Sequence, residues 1–352
     1  MEKRESGADS VKSLKIHGST GDSNILIGEG LQNFQKYIAS EQVVIITDNN
    51  VRRLYGKDFP PYEIIEIGMG EKIKNLDTVK TIYGKLVGFE VDRSSFIVGI
   101  GGGIVCDIAG FIASTYLRGV RFGFVASTLL SQVDGSVGGK NGVNFEGYKN
   151  MVGVFNQPEF VICDMKLLKT LPEKEILCGL AEVVKHAAMG DADLFSYLEK
   201  HYQRVLQLNA EAIEKVVYDS VLIKSSIVNK DEKEEGERRK LNFGHTLGHA
   251  LEKTTGAPHG EAISVGMMAA SNLSAKKGYL STGEKERIEA LLNKFQLPTR
   301  VQFNGKRLLD AVRKDKKREG EEINFVLLQG IGKAVVEKIS VKELENLVSE
   351  MI

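Results

Sequence analysis

A chain of 352 residues with 42% hydrophobic content can build two cores of ordinary size, which excludes a disordered chain and a disulfide-stapled miniprotein. Lys plus Arg and Asp plus Glu each number 47, so there is no global field to draw the chain to nucleic acid or an anionic membrane, and anionic ligands have to be caught locally. No apolar run approaches the roughly 20 residues of a membrane helix, and three cysteines without metal-type spacing (Cys106, Cys163, Cys178) point to a reducing compartment, the cytoplasm.

In chain order, β-branched runs come first: Val43 to Thr47, Ile64 to Ile67, Phe96 to Ile100, Phe122 to Ala126 and Phe160 to Cys163. Helical stretches and turn signals separate them, which predicts an α/β domain with a parallel-rich sheet over residues 1–171, whose ligands should bind at strand C-termini. After Leu171-Pro172 the spacing becomes helical, in Leu194 to Leu208, Ala210 to Val228, Gly283 to Phe295 and Val341 to Met351. An all-α domain is therefore expected over 172–352.

Three motifs carry chemistry. The strand FIVGI runs into Gly101-Gly102-Gly103 and a helix containing Asp107. Glycines there let the backbone approach a pyrophosphate, and the helix start offers free N–H groups. Asp107 would repel a phosphate and suits a ribose or the nicotinamide side. The usual GxGxxG is absent, and the first strand leads into Asp48-Asn49-Asn50, so this is a variant nucleotide fold.

Next, His245 and His249 stand at i and i+4 on one helix face, and His259 follows ten residues after His249. Glu182 lies in the apolar stretch GLAEVVKHA, where an unpaired carboxylate is costly to bury and metal ligation would remove the cost. A catalytic zinc takes three protein ligands, so one of these four candidates need not bind. Last, QVDGSVGGKNGVN and the following GYKN interleave glycines with Asp134, Lys140, Asn144, Lys149 and Asn150, donors suited to a small anion.

Taken together, GGGIVCDIAGFIAST, YLRGV, STLLSQVDGSVGGKNGVN, YKNMVGVFNQP, GLAEVVKHA, DEKEEGERRKLNFGHTLGHALE, HGEAISVGM and DKKREGEEINFVLL resemble the 3-dehydroquinate synthase family of sugar phosphate cyclases, from about Asp48 to about Gly332. The resemblance implies a Rossmann-like NAD-binding domain followed by a helical metal- and substrate-binding domain, with the active site in the cleft, in a cytoplasmic homodimer. It implies Glu182, His245 and His259 as ligands of Zn2+ (or Co2+), and His249 as a catalytic histidine. NAD contacts fall on Asp48, Asn50, Glu71, Lys74, Gly102, Gly103, Asp107, Ser127, Thr128, Lys149 and Thr170. Substrate contacts fall on Arg118, Asp134, Lys140, Asn150, Lys185, Lys224, Arg238, Asn242 and Lys317, with Lys316 an alternative to the last. Glu234 matches a proton acceptor, and Lys140, Lys185 and Arg238 join it and His249 in catalysis.

The implied reaction closes 3-deoxy-D-arabino-heptulosonate 7-phosphate to 3-dehydroquinate with loss of phosphate, a carbon–oxygen lyase step of the shikimate pathway in which NAD ends unchanged. The family often has Thr after the GGK lysine and His-Pro after the next Asn, where this chain has Asn141 and Phe145-Glu146. Those positions adjoin the substrate loop. Alternative readings are a sister cyclase making 2-epi-5-epi-valiolone or 2-deoxy-scyllo-inosose, or a metal-dependent polyol dehydrogenase.

Overall fold

The computed structural model describes residues 11–313, 318–319 and 322–350. The chain divides into two compact units, the first ending at Thr170 and the second beginning at Leu171.

In the first unit the five expected runs are strands, because β-branched side chains pack well on a pleated surface covered on both faces. A hairpin, β1 (Lys12–Gly18) and β2 (Gly21–Ile27), precedes β3 (Val43–Asp48), α1 (Asn49–Tyr55), β4 (Glu63–Ile67), α2 (Leu76–Gly88) and β5 (Phe96–Gly101). Then come α3 (Gly103–Thr115), β6 (Arg121–Ala126), a second hairpin of β7 (Lys140–Phe145) and β8 (Tyr148–Phe155), and β9 (Phe160–Cys163). Seven strands form one sheet in the order β1-β2-β9-β6-β5-β3-β4. Every neighbouring pair is parallel except β1 with β2. Its core joins Leu26, Phe34, Ile45, Phe96, Val98, Ile100, Val125 and Ile162, with Phe96 stacked on Phe160 at 5.8 Å between ring centres. From β3 the chain moves to β4 on one side, and from β5 to β6 and β9 on the other. The order therefore reverses between β3 and β5, and a crevice at their carboxyl ends is where such sheets bind ligands.

The second unit is mainly helical: α4 (Glu173–Gly190), α5 (Ala192–Leu206), α6 (Ala210–Val228), α7 (His245–Thr255), α8 (His259–Lys276), α9 (Thr282–Lys294), α10 (Gly305–Arg313) and, last, α11 (Val341–Glu350). It is not all-α, however. Between the last two helices, β10 (Arg318–Glu319), β11 (Glu322–Leu328) and β12 (Ala334–Ser340) form a three-stranded antiparallel sheet. A short apolar run such as Ile323–Leu328 has no period that separates a buried strand from a buried helix turn, and only its pairing with β12 decides. No helix among the described residues is long and apolar enough to cross a membrane.

A capping box fastens α9. The Ser281 hydroxyl accepts the Glu284 N–H (3.2 Å), while the Glu284 carboxylate accepts the Ser281 N–H (3.0 Å) and, across the fold, the Ile331 N–H (3.1 Å). The Ser281 hydroxyl also donates to the Glu284 carboxylate (2.7 Å), and this bond, chiefly, holds the carboxyl below its ordinary pKa. A depressed carboxylate stabilises the fold above its unfolded pKa and loses that contribution as pH falls through its folded one. Glu284→Gln should therefore cost about 1 kcal/mol at neutral pH, a fall of roughly 2 to 4 °C in thermal midpoint. The gap from the unaltered chain should close as pH drops below about 4; a gap constant with pH would contradict the assignment.

Candidate active site

The second unit places three of the four sequence-derived metal candidates at one point. Glu182 sits in the middle of α4, fully buried, and Lys185 one turn on forms an ion pair with it at 1% exposure. His245 opens α7 and His259 opens α8. Their Nε2 atoms lie 3.5 and 3.2 Å from the same oxygen, Glu182 Oε1. Each imidazole is oriented through its other nitrogen: His245 Nδ1 stands 3.1 Å from the Phe243 carbonyl, and His259 Nδ1 stands 3.4 Å from Glu252 Oε2. One carboxylate and two imidazoles held by outer partners fit a catalytic divalent ion with a position left for substrate. His249 lies beside them, its ring centre 5.0 Å from that of His245 and 6.1 Å from that of His259, but it is exposed.

Close helix packing produces this convergence. A Cβ on Gly260 would stand 2.5 Å from the Cys178 backbone, so only glycine lets the start of α8 lie against α4 one turn before Glu182. At Gly266 a Cβ would stand 2.0 Å from the Gly244 carbonyl, which brings α8 against the start of α7. Burial lowers the pKa of His259, yet hydrogen bonds that Glu182 and Glu252 accept from it outweigh this and raise the imidazole to about 9. In the metal-free chain a proton therefore occupies the place of a cation.

The same unit also buries Lys224 (6% exposed) and Arg238 (1%), two cations whose desolvation demands compensating partners. Arg238 belongs to the turn Glu237–Asn242, which packs on both α4 and α6. In the preceding loop Glu234 has a left-handed backbone (φ 63°), and Asn242 donates to its carboxylate. The charge-rich segment Lys230 to Lys240 is thus folded, with Arg238 inside.

In the first unit the expected cofactor residues gather at the carboxyl ends of the strands. Asp48 ends β3 and caps α1, accepting from Asn50 N (2.9 Å) and Val51 N (3.0 Å). Gly102 joins β5 to α3, which Gly103 opens and whose start has no side-chain cap; Ser127 and Thr128 follow β6. Lys74, nearly buried, ion-pairs with Asp107 and donates to Asn150 Oδ1 (2.6 Å). Glu71 accepts from Asn144 Nδ2 (2.7 Å) and has Lys149 at 3.8 Å. Thr170 is exposed and its hydroxyl shares a hydrogen bond with Tyr55 (2.6 Å). Asp134 closes an irregular helical turn before the second hairpin.

The substrate residues of the first unit do not all converge. Lys140 pairs with Phe155 at the open end of the β7–β8 hairpin, whereas Asn150 lies near its turn. Arg118 is exposed just before β6. The helix α3, about 20 Å long, carries the chain from the glycine loop back to the amino ends of the strands, where β6 begins. Arg118 is therefore remote from the strand C-termini of its own unit. Lys317 and Lys316 lie outside the described residues.

One participant escaped the sequence reading, and another was read only as a donor to an anion. Glu252, which orients His259, is one helix turn past His249 and would follow from asking what binds the second nitrogen of a ligand histidine. Asn144 accepts Asn150 N (2.9 Å), gives Nδ2 to Glu71 and donates its N–H to the Lys74 carbonyl (2.9 Å). No local pattern signals that role.

Comparison with known proteins agrees with this layout. The family model for the 3-dehydroquinate synthase N-terminal region matches residues 64–178, and that for the C-terminal region matches 179–318. The 3-dehydroquinate synthase of Dehalococcoides mccartyi is 39% identical across 97% of this chain and all of its own. Among solved structures, 2-epi-5-epi-valiolone synthase of Streptomyces hygroscopicus, with NAD+ and Zn2+ bound, is 25% identical over 99% of each chain at a TM-score of 0.86. A 2-deoxy-scyllo-inosose synthase complexed with carbaglucose-6-phosphate, NAD+ and Co2+ shares the fold at a TM-score of 0.87, with 24% identity over 97% of this chain and all of that one. Since the two family models together span most of the sequence and the curated relative is matched from end to end, the chain belongs to the 3-dehydroquinate synthase family.

Proposed function

We propose that this chain converts 3-deoxy-D-arabino-heptulosonate 7-phosphate to 3-dehydroquinate and phosphate, with NAD and a divalent metal ion, Zn2+ or Co2+, as cofactors. The observation that carries this reading is the convergence of Glu182, His245 and His259 in a unit that also buries Lys185, Lys224 and Arg238. A polyol oxidation needs the metal; it does not need buried cations for a phosphate and a carboxylate. Lys140, Asn150 and Arg238 favour a carboxylated substrate over those of the sister cyclases. The sequence-derived expectation of a cytoplasmic homodimer is kept as part of the proposal.

When bound, the metal would acidify substrate hydroxyls and the nicotinamide would hold a hydride temporarily, so that NAD is returned unchanged. The chain's own groups do the rest. Glu182, His245 and His259 would hold the metal through Oε1 and the two Nε2 atoms. Lys224 and Arg238 neutralise substrate anions in a buried setting where each charge-assisted bond is strong. Glu234, its carboxylate fixed by Asn242, accepts a proton, and exposed His249 moves one at the edge of the imidazole cluster. Asp48, the Gly102-Gly103 turn, Ser127 and Thr128 receive the nucleotide at the strand ends, with Asp107 and Lys74 on its nicotinamide side.

Metal analysis of purified variants tests the ligand roles. Glu182→Gln, His245→Ala and His259→Ala should each lose most bound zinc, while His249→Ala keeps the metal and loses turnover; zinc loss in His249→Ala matching that in His245→Ala would overturn the division. Because His259 holds its proton up to about 9 without metal, zinc uptake at neutral pH should release a proton, and calorimetry in buffers of different ionisation enthalpy would count it.

The stoichiometry of NAD tests the reaction class. One bound NAD+ should support many turnovers, releasing one phosphate per product with no sustained rise in NADH absorbance. Continuous NADH formation with phosphate still attached to the product would identify a dehydrogenase instead.

A further inference from the structure

Asp231 lies just past the end of α6, where its N–H donates to the carbonyls of Ile227 (3.0 Å) and Val228 (3.2 Å). A carboxylate at a helix C-terminus faces the negative end of the dipole, so the helix itself gives no reason for an acid there. The reason lies in the loop that follows. Asp231 Oδ1 accepts the N–H of Glu235 (3.0 Å), and Oδ2 accepts those of Gly236 (2.7 Å) and Arg238 (2.9 Å). One side chain thus gathers the amides of a loop that would otherwise expose them. Inside it Glu234 is kept in its left-handed conformation, the Glu234 carbonyl accepts from Arg239 Nε (3.3 Å), and the Arg238 side chain is turned inward onto the Glu232 carbonyl. Burial raises the pKa of Asp231, but the amides of Arg238, Gly236, Glu235 and Glu234 lower it further, so the loop is built around the charged form.

We propose that Asp231 is the positioning residue of this active site: its carboxylate folds the Glu232 to Arg238 loop so that the proton-accepting Glu234 and the anion-binding Arg238 are presented together. The proposal rests on the functional reading above, which assigns those two roles. A neutral amide has one acceptor oxygen for the two sets of N–H groups and turns an NH2 against the other set, so even Asp231→Asn breaks the arrangement.

The test uses the full chain loaded with zinc and NAD. Hydrogen exchange at the amides of Glu235, Gly236 and Arg238 should quicken at least ten-fold in Asp231→Asn and in Asp231→Ala, with the metal content unchanged. Turnover of the heptulosonate phosphate should fall about 10- to 100-fold in kcat/KM. The loss should be strongly non-additive with Arg238→Ala, because once the loop is released the arginine no longer contributes from a fixed position. Should Asp231→Ala fail to fold, Asp231→Asn carries the same readouts. Unchanged exchange in Asp231→Asn, or losses from Asp231→Asn and Arg238→Ala that simply multiply, would overturn the assignment. An unaltered chain that does not turn over the heptulosonate phosphate would sink the functional reading, and the exchange data alone would then decide whether Asp231 organises the loop.

Discussion

A carboxylate in the centre of a buried helix must find positive charge or lose its own, and Glu182 answers that demand with Lys185 and two imidazoles. Much of the second unit is arranged to meet this need. The starts of α7 and α8 must both reach the middle of α4, and small residues at the crossings allow it. The imidazoles must present Nε2, so their Nδ1 atoms are engaged by the Phe243 carbonyl and by Glu252. Removing one member leaves the others unbalanced rather than merely unoccupied. Without metal a proton on His259 takes up the compensating role, so metal and proton compete for the same electrostatic position.

The same logic explains how a chain with no net charge would bind a sugar that carries both a carboxylate and a phosphate. Cations are placed where solvent cannot screen them instead of being spread over the surface. Lys224 and Arg238 are nearly inaccessible, and Lys185 is shared with Glu182. Burying a cation is costly, and in that setting each interaction with an anion that enters is strengthened. The backbone around Arg238 has to be rigid for this, since a mobile arginine would find water. A folded loop of alternating charges gives that rigidity where an extended linker could not.

How much of this could be read from the sequence depends on the distance over which each role is decided. The five parallel strands were legible because their β-branched content is local, and the helix over Ala210–Val228 because its spacing is regular over nineteen residues. The hairpin of β7 and β8 was hidden behind Gly, Asn and Lys, which are also the residues of loops; its pairing comes from contact with α3, and local propensity contributes little. The sheet of β11 and β12 was missed for a related reason, since a short run of mostly apolar residues is ambiguous until a partner strand is known. The metal residues were found by type and spacing, but the separation of His249 from the ligand pair came from family resemblance, and here it coincides with exposure. Arg118 is the residue on which motif and topology differ: the resemblance assigns it to the substrate, while α3 carries it to the amino ends of the strands of its own unit.

Lys74 links the two halves of the chemistry expected of the first unit. Its ammonium touches Asp107, beside the glycine turn, and Asn150, on the hairpin that the functional reading assigns to the substrate. Asn144 reinforces the link by accepting Asn150 N while holding Glu71 and the Lys74 carbonyl. A nucleotide that contacts Asp107 therefore acts on the same hydrogen-bond network that orients Asn150. A hydride acceptor and a substrate-binding amide need a fixed relation, because misplacement by about an ångström is enough to slow a reaction by two orders of magnitude. A nearly buried lysine with one partner on each side fixes that relation through the fold, before either ligand arrives.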